Sequence, residues 1–225
     1  MLKNYFKIAF RSLMRNKVFS SINIIGLALG LSCCLLLAQY LQYELSYDKF
    51  HSKNDRIARV IMEYKIGDEG AKGNFTSTRV FPEFKRQFPE VSDGMRMSSS
   101  TRLVKYGDKV FEEKDFLYAD STLFNVFDFK LLSGDKNQVL KAPKMLVISK
   151  HIAEKYFGKE NPVGKSLLIS SVQDPYLITG VVEDCPGNSQ IQYNMIASLS
   201  SFGPLQEETY SNANFTTYLL LNNKT

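Results

Sequence analysis

Hydrophobic and polar positions follow three different periods along this chain. In residues 1–17, Leu2, Phe6, Ala9, Phe10, Leu13 and Met14 recur at helical spacing, while Lys3, Lys7, Arg11 and Arg15 fall four apart on another face. Positions three and four apart share a helix face, so the pattern predicts a basic amphipathic helix suited to an anionic membrane surface. From Val18 to Tyr43 the alternation disappears: VFSSINIIGLALGLSCCLLLAQYLQY holds no charged side chain. About 20 helical residues cross a hydrocarbon core, so a transmembrane helix is expected at 18–43.

Past Tyr43 the pattern breaks into short pieces. Residues 54–66 place Val60, Met62, Tyr64 and Ile66 on one face and Arg59, Glu63 and Lys65 on the other, which predicts a strand closed by the Gly67-Asp68-Glu69-Gly70 turn. Pro82 opens a short helix carrying Phe84 and Phe88, stopped by Pro89. Short strands around a Gly107-Asp108 turn are expected within 102–119, and Ser121 is expected to cap a helical turn through Phe127. Ser149–Phe157 reads as a helix capped by Ser149 and ended by Gly158, with strands following at 166–171, 176–183 and 215–221. Strands mixed irregularly with short helices give an α+β class: an N-terminal transmembrane helix, then a mixed α/β extracytoplasmic domain over residues 44–225.

Charge fixes the expected topology. Lys3, Lys7, Arg11, Arg15 and Lys17 precede the span, and no Asp or Glu occurs before Glu44. Positive flanks stay in the cytoplasm, so the N-terminus is expected inside and residues 44–225 outside the inner membrane. A cleaved signal peptide has an apolar region of only about 7–15 residues and a small-x-small site; this run is longer and ends in Gln39-Tyr40-Leu41-Gln42-Tyr43. Five of the 28 basic residues lie before position 18, leaving 23 against 23 acidic ones. The net charge of +5 therefore marks membrane topology and excludes a nucleic-acid surface.

Within the span, Gly26, Gly30, Cys34 and Ala38 are small and four apart, a stripe that lets helix backbones approach closely in lipid. The expected partner is another membrane helix, from a second copy or from elsewhere in a larger assembly. Beyond it, Gln42–Ser46 is expected to continue the helix, with no proline or glycine before Asn54. Such a stiff neck would transmit helix movement, where a flexible linker would absorb it.

Candidate chemistry is sparse. Gly164-Lys165-Ser166 resembles a phosphate loop, but the required upstream glycine position holds Lys159, Pro162 interrupts, and a strand follows, which leaves a turn. His51 and His151 lack a second ligand at a metal spacing and are expected at the surface. Cys185 is expected to be a buried structural thiol; a Cys185–His151 dyad remains open, without positive support. Glu112, Glu113, Glu183 and Asp184 show no pairing signal. No catalytic constellation, cofactor or metal set is expected.

The opening NYFKIAFRSLMRNKVFSSINIIGLALGLSCCLLL and the following ELSYDKFHSKNDRIARV resemble the start of MacB/FtsX-type ABC transporter permeases. DSTLFNVFDFKLLSGD, ISKHIAEKYFGKENPVGKSLLI and YLITGVVEDCPGNSQI resemble the periplasmic core domain of the same family. The resemblance implies two external lobes, one built from the segment after the membrane plus the strand around Thr217–Leu221, the other from the insert between them. It also implies a cytoplasmic ABC ATPase partner and export or periplasmic work driven through membrane-helix motion. A complete permease has at least three further spans, so the resemblance implies that this is a fragment or a truncated product. The alternative is a membrane-anchored periplasmic sensor or binding domain; an anchored enzyme is a third reading.

Overall fold

The computed structural model describes residues 2–66, 69–170, 174–202, 209–210 and 213–223, in two compact units, Met1–Tyr47 and Asp48–Thr225. The first unit is helical: α1 spans Leu2–Arg15 and α2 spans Lys17–Glu44. Among the described residues α2 is the one helix long and apolar enough to cross a membrane, and none of its side chains is buried. The helix stops two residues earlier than the pattern predicts. Leu45 caps α2 through its amide to Leu41 O, and turns follow, with the Ser46 and Tyr47 amides bonded back to Tyr43 and Glu44 carbonyls. The neck is thus not a continued helix.

In the second unit β1 (Ile57–Arg59), β2 (Met62–Ile66) and β3 (Glu69–Gly73) come first, then α3 (Val80–Gln87), β4 (Val91–Tyr106), β5 (Lys109–Ala119) and α4 (Leu123–Val126). Next come β6 (Leu131–Ser133), β7 (Met145–Ser149), α5 (Lys150–Phe157), β8 (Ser166–Ile169), β9 (Asp174–Val182), β10 (Met195–Ser198) and β11 (Thr216–Leu221). The strand expected at 54–66 is split: β1 joins the main sheet, and β2 leaves it to form a hairpin with β3 in the register Ile66↔Glu69. The hairpin's turn at 67–68 lies outside the described residues, as does position 171 of the strand expected at 166–171. Pro82 sits inside the first turn of α3, where helix amides lack intrahelical acceptors anyway. The cap expected at Ser121 falls instead on Thr122, whose hydroxyl bonds Gly94 O at 2.6 Å.

The main sheet runs β1-β11-β4-β5-β10-β7-β9-β6, with β8 pairing both β4 and β9. That double pairing closes β4, β5, β10, β7, β9 and β8 into a ring. Side chains of β5, β7 and β10 alternate between two cores. Phe116, Tyr118, Leu146, Ile148, Met195 and Ala197 point into the ring, while Leu117, Ala119, Val147 and Ile196 join an outer core with α4, Phe127, Phe129 and Tyr218. Helix α5 contributes Ile152 and Tyr156, four apart, to the inner core, and Gly158 ends it with φ +64°. Ser149 precedes α5 as expected but makes no side-chain capping bond.

The mixed α+β class holds. The segment after the membrane helix and the last strand lie side by side, β1 antiparallel to β11. The two lobes, however, are not separate bodies. Strand β4 is 16 residues long; its first half pairs with β11 and its second with β5 and β8, so one strand belongs to both halves.

Candidate functional site

The first residues of the second unit, Asp48-Lys49-Phe50-His51-Ser52-Lys53, are tied to its loops by side-chain and backbone bonds. Asp48 has φ +56°, a left-handed geometry that Asp tolerates better than most residues. Its amide donates to Asn188 O at 3.0 Å, and its Oδ1 accepts the Gln190 amide at 3.1 Å and the Ser189 hydroxyl at 3.2 Å. One residue thereby ties the entering chain to the 186–191 loop.

His51 is the second tie, and it is not at the surface: it is 2% exposed. Its Nδ1 accepts the Asp128 amide at 3.0 Å, and the rings of Phe50, Phe127 and Phe129 enclose it at centroid distances of 4.1, 5.0 and 5.0 Å. Accepting at Nδ1 places the proton of the neutral ring on Nε2, which is buried without a partner among the described residues. Burial lowers the imidazole pKa, against the opposing pull of Asp48 and Asp128. Asp128 completes the clamp by accepting the Ser52 amide at 2.6 Å and its hydroxyl at 2.7 Å. Burial alone would raise that carboxyl, but the Ser52 bonds, Lys53 and His51 together hold it below its usual range. Lys53 donates to Asn125 O, and Arg56 reaches Leu221 O at 3.4 Å. The clamp therefore binds the entry of the chain to α4, the following loop and the end of β11.

Two other polar ties hold the unit. Arg96 meets Asp120 through Nε at 2.9 Å and a terminal nitrogen at 3.0 Å, and its other terminal nitrogen reaches Thr78 O at 2.8 Å. Glu113, expected to be unpaired, is buried in β5 with Lys155 Nζ and the Tyr156 hydroxyl each at 2.6 Å. Burial and Glu113 raise the Tyr156 pKa.

The catalytic candidates do not assemble. His151 Nδ1 lies 3.1 Å from Ser149 Oγ and 3.2 Å from Asp184 Oδ1. A serine triad uses opposite ring nitrogens, whereas here both contacts fall on one. Asp184 instead accepts the His151 amide at 2.9 Å at the start of α5. Cys185 is half-buried with its thiol 3.1 Å from Ile191 O, and burial raises its pKa, the opposite of an activated thiolate. At the Gly164-Lys165-Ser166 turn, the Gly164 amide donates to Ile178 O and the Lys165 amide to Pro162 O, so neither is free to hold a phosphate. The four small residues of the span, Gly26, Gly30, Cys34 and Ala38, all lie exposed along α2; a Cβ added at Gly26 or Gly30 would meet nothing within 4 Å.

The model of the MacB-like periplasmic core domain matches residues 20–225. The chain belongs to this family. Similar solved structures include a domain assigned to a permease protein from Porphyromonas gingivalis, with TM-score 0.68, 26% identity, and 78% of this chain and 76% of that chain covered. The periplasmic region of MacB from Actinobacillus actinomycetemcomitans matches with TM-score 0.53 and 18% identity, over 67% of this chain and 66% of that one. The extracellular domain of the noncanonic ABC-type transporter YknZ from Gram-positive bacteria gives TM-score 0.51 and 18% identity, over 72% and 83%. The last two show a shared fold. No curated protein sequence matches the chain. The family is one of periplasmic core domains, and the apolar α2 fits a membrane protein with an extracytoplasmic domain.

Proposed function

We propose that the chain is part of an ABC transporter permease whose external domain takes up ATP-driven motion of α2 and turns it into export or other extracytoplasmic work. The observation that carries this reading is the Asp48–His51–Ser52–Asp128 clamp. It fixes Asp48–Lys53, the first residues of the second unit, to that unit's own loops through side-chain bonds, so that a pull reaching Asp48 acts on folded structure and not on a loose segment. Because Ile57 pairs with Leu220, a chain continuing past β11 leaves the sheet beside its point of entry, as a domain set between membrane helices requires.

In this reading Lys3, Lys7, Arg11 and Arg15 hold α1 at the cytoplasmic leaflet of the inner membrane, and the main domain is periplasmic. A cytoplasmic ABC ATPase supplies the energy. The stripe of Gly26, Gly30, Cys34 and Ala38 packs against other permease helices or a second permease copy. The test is a Gly-Ser linker of several residues inserted after Ser46 in the complete permease with its ATPase. Coupled work lost while ATPase binding persists is the expected result; full activity with the linker in place contradicts the reading.

A further inference from the structure

The closed ring of strands has two ends. Helix α5 covers one. At the other, the C-terminal ends of β5, β8 and β10 and the N-terminal ends of β7 and β9 surround an open cavity of about 270 Å³. Arg102 lies in it, on the same face of β4 as Val104, which points into the ring core. The register of β4 against β5 shifts between Ser100 and Arg102, an irregularity of the kind that re-aims side chains beside sites.

The cavity is built from charged and aromatic groups together. Arg102 Nε donates to the Tyr118 hydroxyl at 3.2 Å, with the guanidinium 5.4 Å from the Tyr118 ring centroid. Its two terminal nitrogens have no partner among the described residues. The Tyr118 ring meets Phe202 at 4.4 Å, and the buried Tyr176 lines the cavity beside Ser201. Asp174 also lines the cavity, one oxygen held by Lys144 at 2.9 Å.

We propose that this mouth binds a small monocarboxylate, the carboxyl end of a peptide or a free amino acid, through the open fork of Arg102. A guanidinium fork matches a planar carboxylate in two parallel bonds. Among the described residues Arg102 is the one cationic residue of the lining, and a single guanidinium matches the one charge of a carboxylate better than the two of a phosphate. Phe202 and the Tyr118 ring offer an aromatic wall to an adjoining side chain, and the volume accepts one or two residues. Mouths of β-barrels are recurrent ligand sites for the same geometric reason: strand ends converge there while the core below stays packed. The proposal stands apart from the permease reading and does not need it.

The test uses the full chain in lipid nanodiscs, titrated by calorimetry with Ala-Ala-Phe, its C-terminal amide, phenylalanine and inorganic phosphate. The free acid is expected to bind with a dissociation constant of about 1 mM or tighter. Amidation of the peptide, or Arg102→Gln in the protein, is expected to weaken binding about tenfold or more. Tyr118→Phe keeps the aromatic ring, loses the Nε acceptor and should weaken it less. Arg102 is half-buried, and unchanged thermal melting of its variant separates loss of the site from loss of the fold. Tighter binding of the tripeptide assigns peptide ends as the ligand, and equal or tighter binding of phenylalanine assigns free amino acids. Amide binding equal to acid, phosphate binding tighter than either, or no binding of the acids overturns the proposal.

Discussion

The small-residue stripe of α2 and the clamp that begins at Asp48 are opposite kinds of interaction surface. Along α2, Gly26, Gly30, Cys34 and Ala38 are exposed and touch nothing; whatever they do requires a helix from elsewhere. In the clamp Asp48 Oδ1, His51 Nδ1 and the Ser52 amide and hydroxyl are already used, by residues up to 142 positions away. A surface awaiting a partner shows as a local period, because neighbours on a helix define it. A surface already satisfied inside its own domain is set by long-range pairs and leaves no period.

The comparison breaks most directly at His51. Substituting His51→Ala removes the acceptor of the Asp128 amide and opens a void among Phe50, Phe127 and Phe129. It should destabilise the domain by about 3 kcal/mol, read by chemical denaturation of the full chain in detergent micelles. Asp48→Ala loses two side-chain bonds and places a residue without a compensating side chain at φ +56°. The expected loss is about 2 kcal/mol, with Asp48→Asn keeping most of the stability.

Acid should separate the two regions further. The folded pKa of His51 lies below that of the unfolded chain, where it is about 6.5. Below that value the unfolded chain takes up a proton that the folded one refuses, so stability falls as pH drops through it, by up to about 1.4 kcal/mol per pH unit. Asp128, with a lowered pKa, acts in a different window: its contribution is present above the ordinary carboxylate value near 4 and fades below it. Denaturation measured between pH 8 and 5 should therefore slope in the wild type and flatten in His51→Phe. The smallest expected effect belongs to the stripe. Gly30→Leu should leave insertion and domain stability unchanged while weakening helix association by on the order of 1 kcal/mol, seen in a membrane two-hybrid signal. An unchanged signal moves the packing face away from Gly30.

How much of this the sequence revealed follows the same division. The span and α5 were readable because a charge-free run and Ile152–Tyr156 spacing are local signals. Strands β7 and β10 were not, since MLVIS and MIAS are buried on both faces and do not alternate. The first half of β4 was hidden by its serines and by Gly94, and the 54–66 strand gave no hint that Val60 and Ile61 divide it between two sheets. Nothing local marks the burial of His51, because its partner Asp128 lies 77 residues away. Glu113 carries no local pairing signal for the same reason, its partners Lys155 and Tyr156 being 42 and 43 positions on. The family resemblance supplied what periodicity could not, and the match over residues 20–225 supports it.

The account turns on the entry segment being fixed to the sheet unit. Hydrogen exchange on the full chain in nanodiscs reads this amide by amide, with Val147 and Ile148 of β7 as the core standard. The amides of Asp48, His51, Ser52 and Gln190 should exchange on the slow scale of β7, and Asp128→Ala should release that of Ser52. Exchange of all four within seconds in the unaltered chain would make the segment a simple tether and contradict coupling through the clamp.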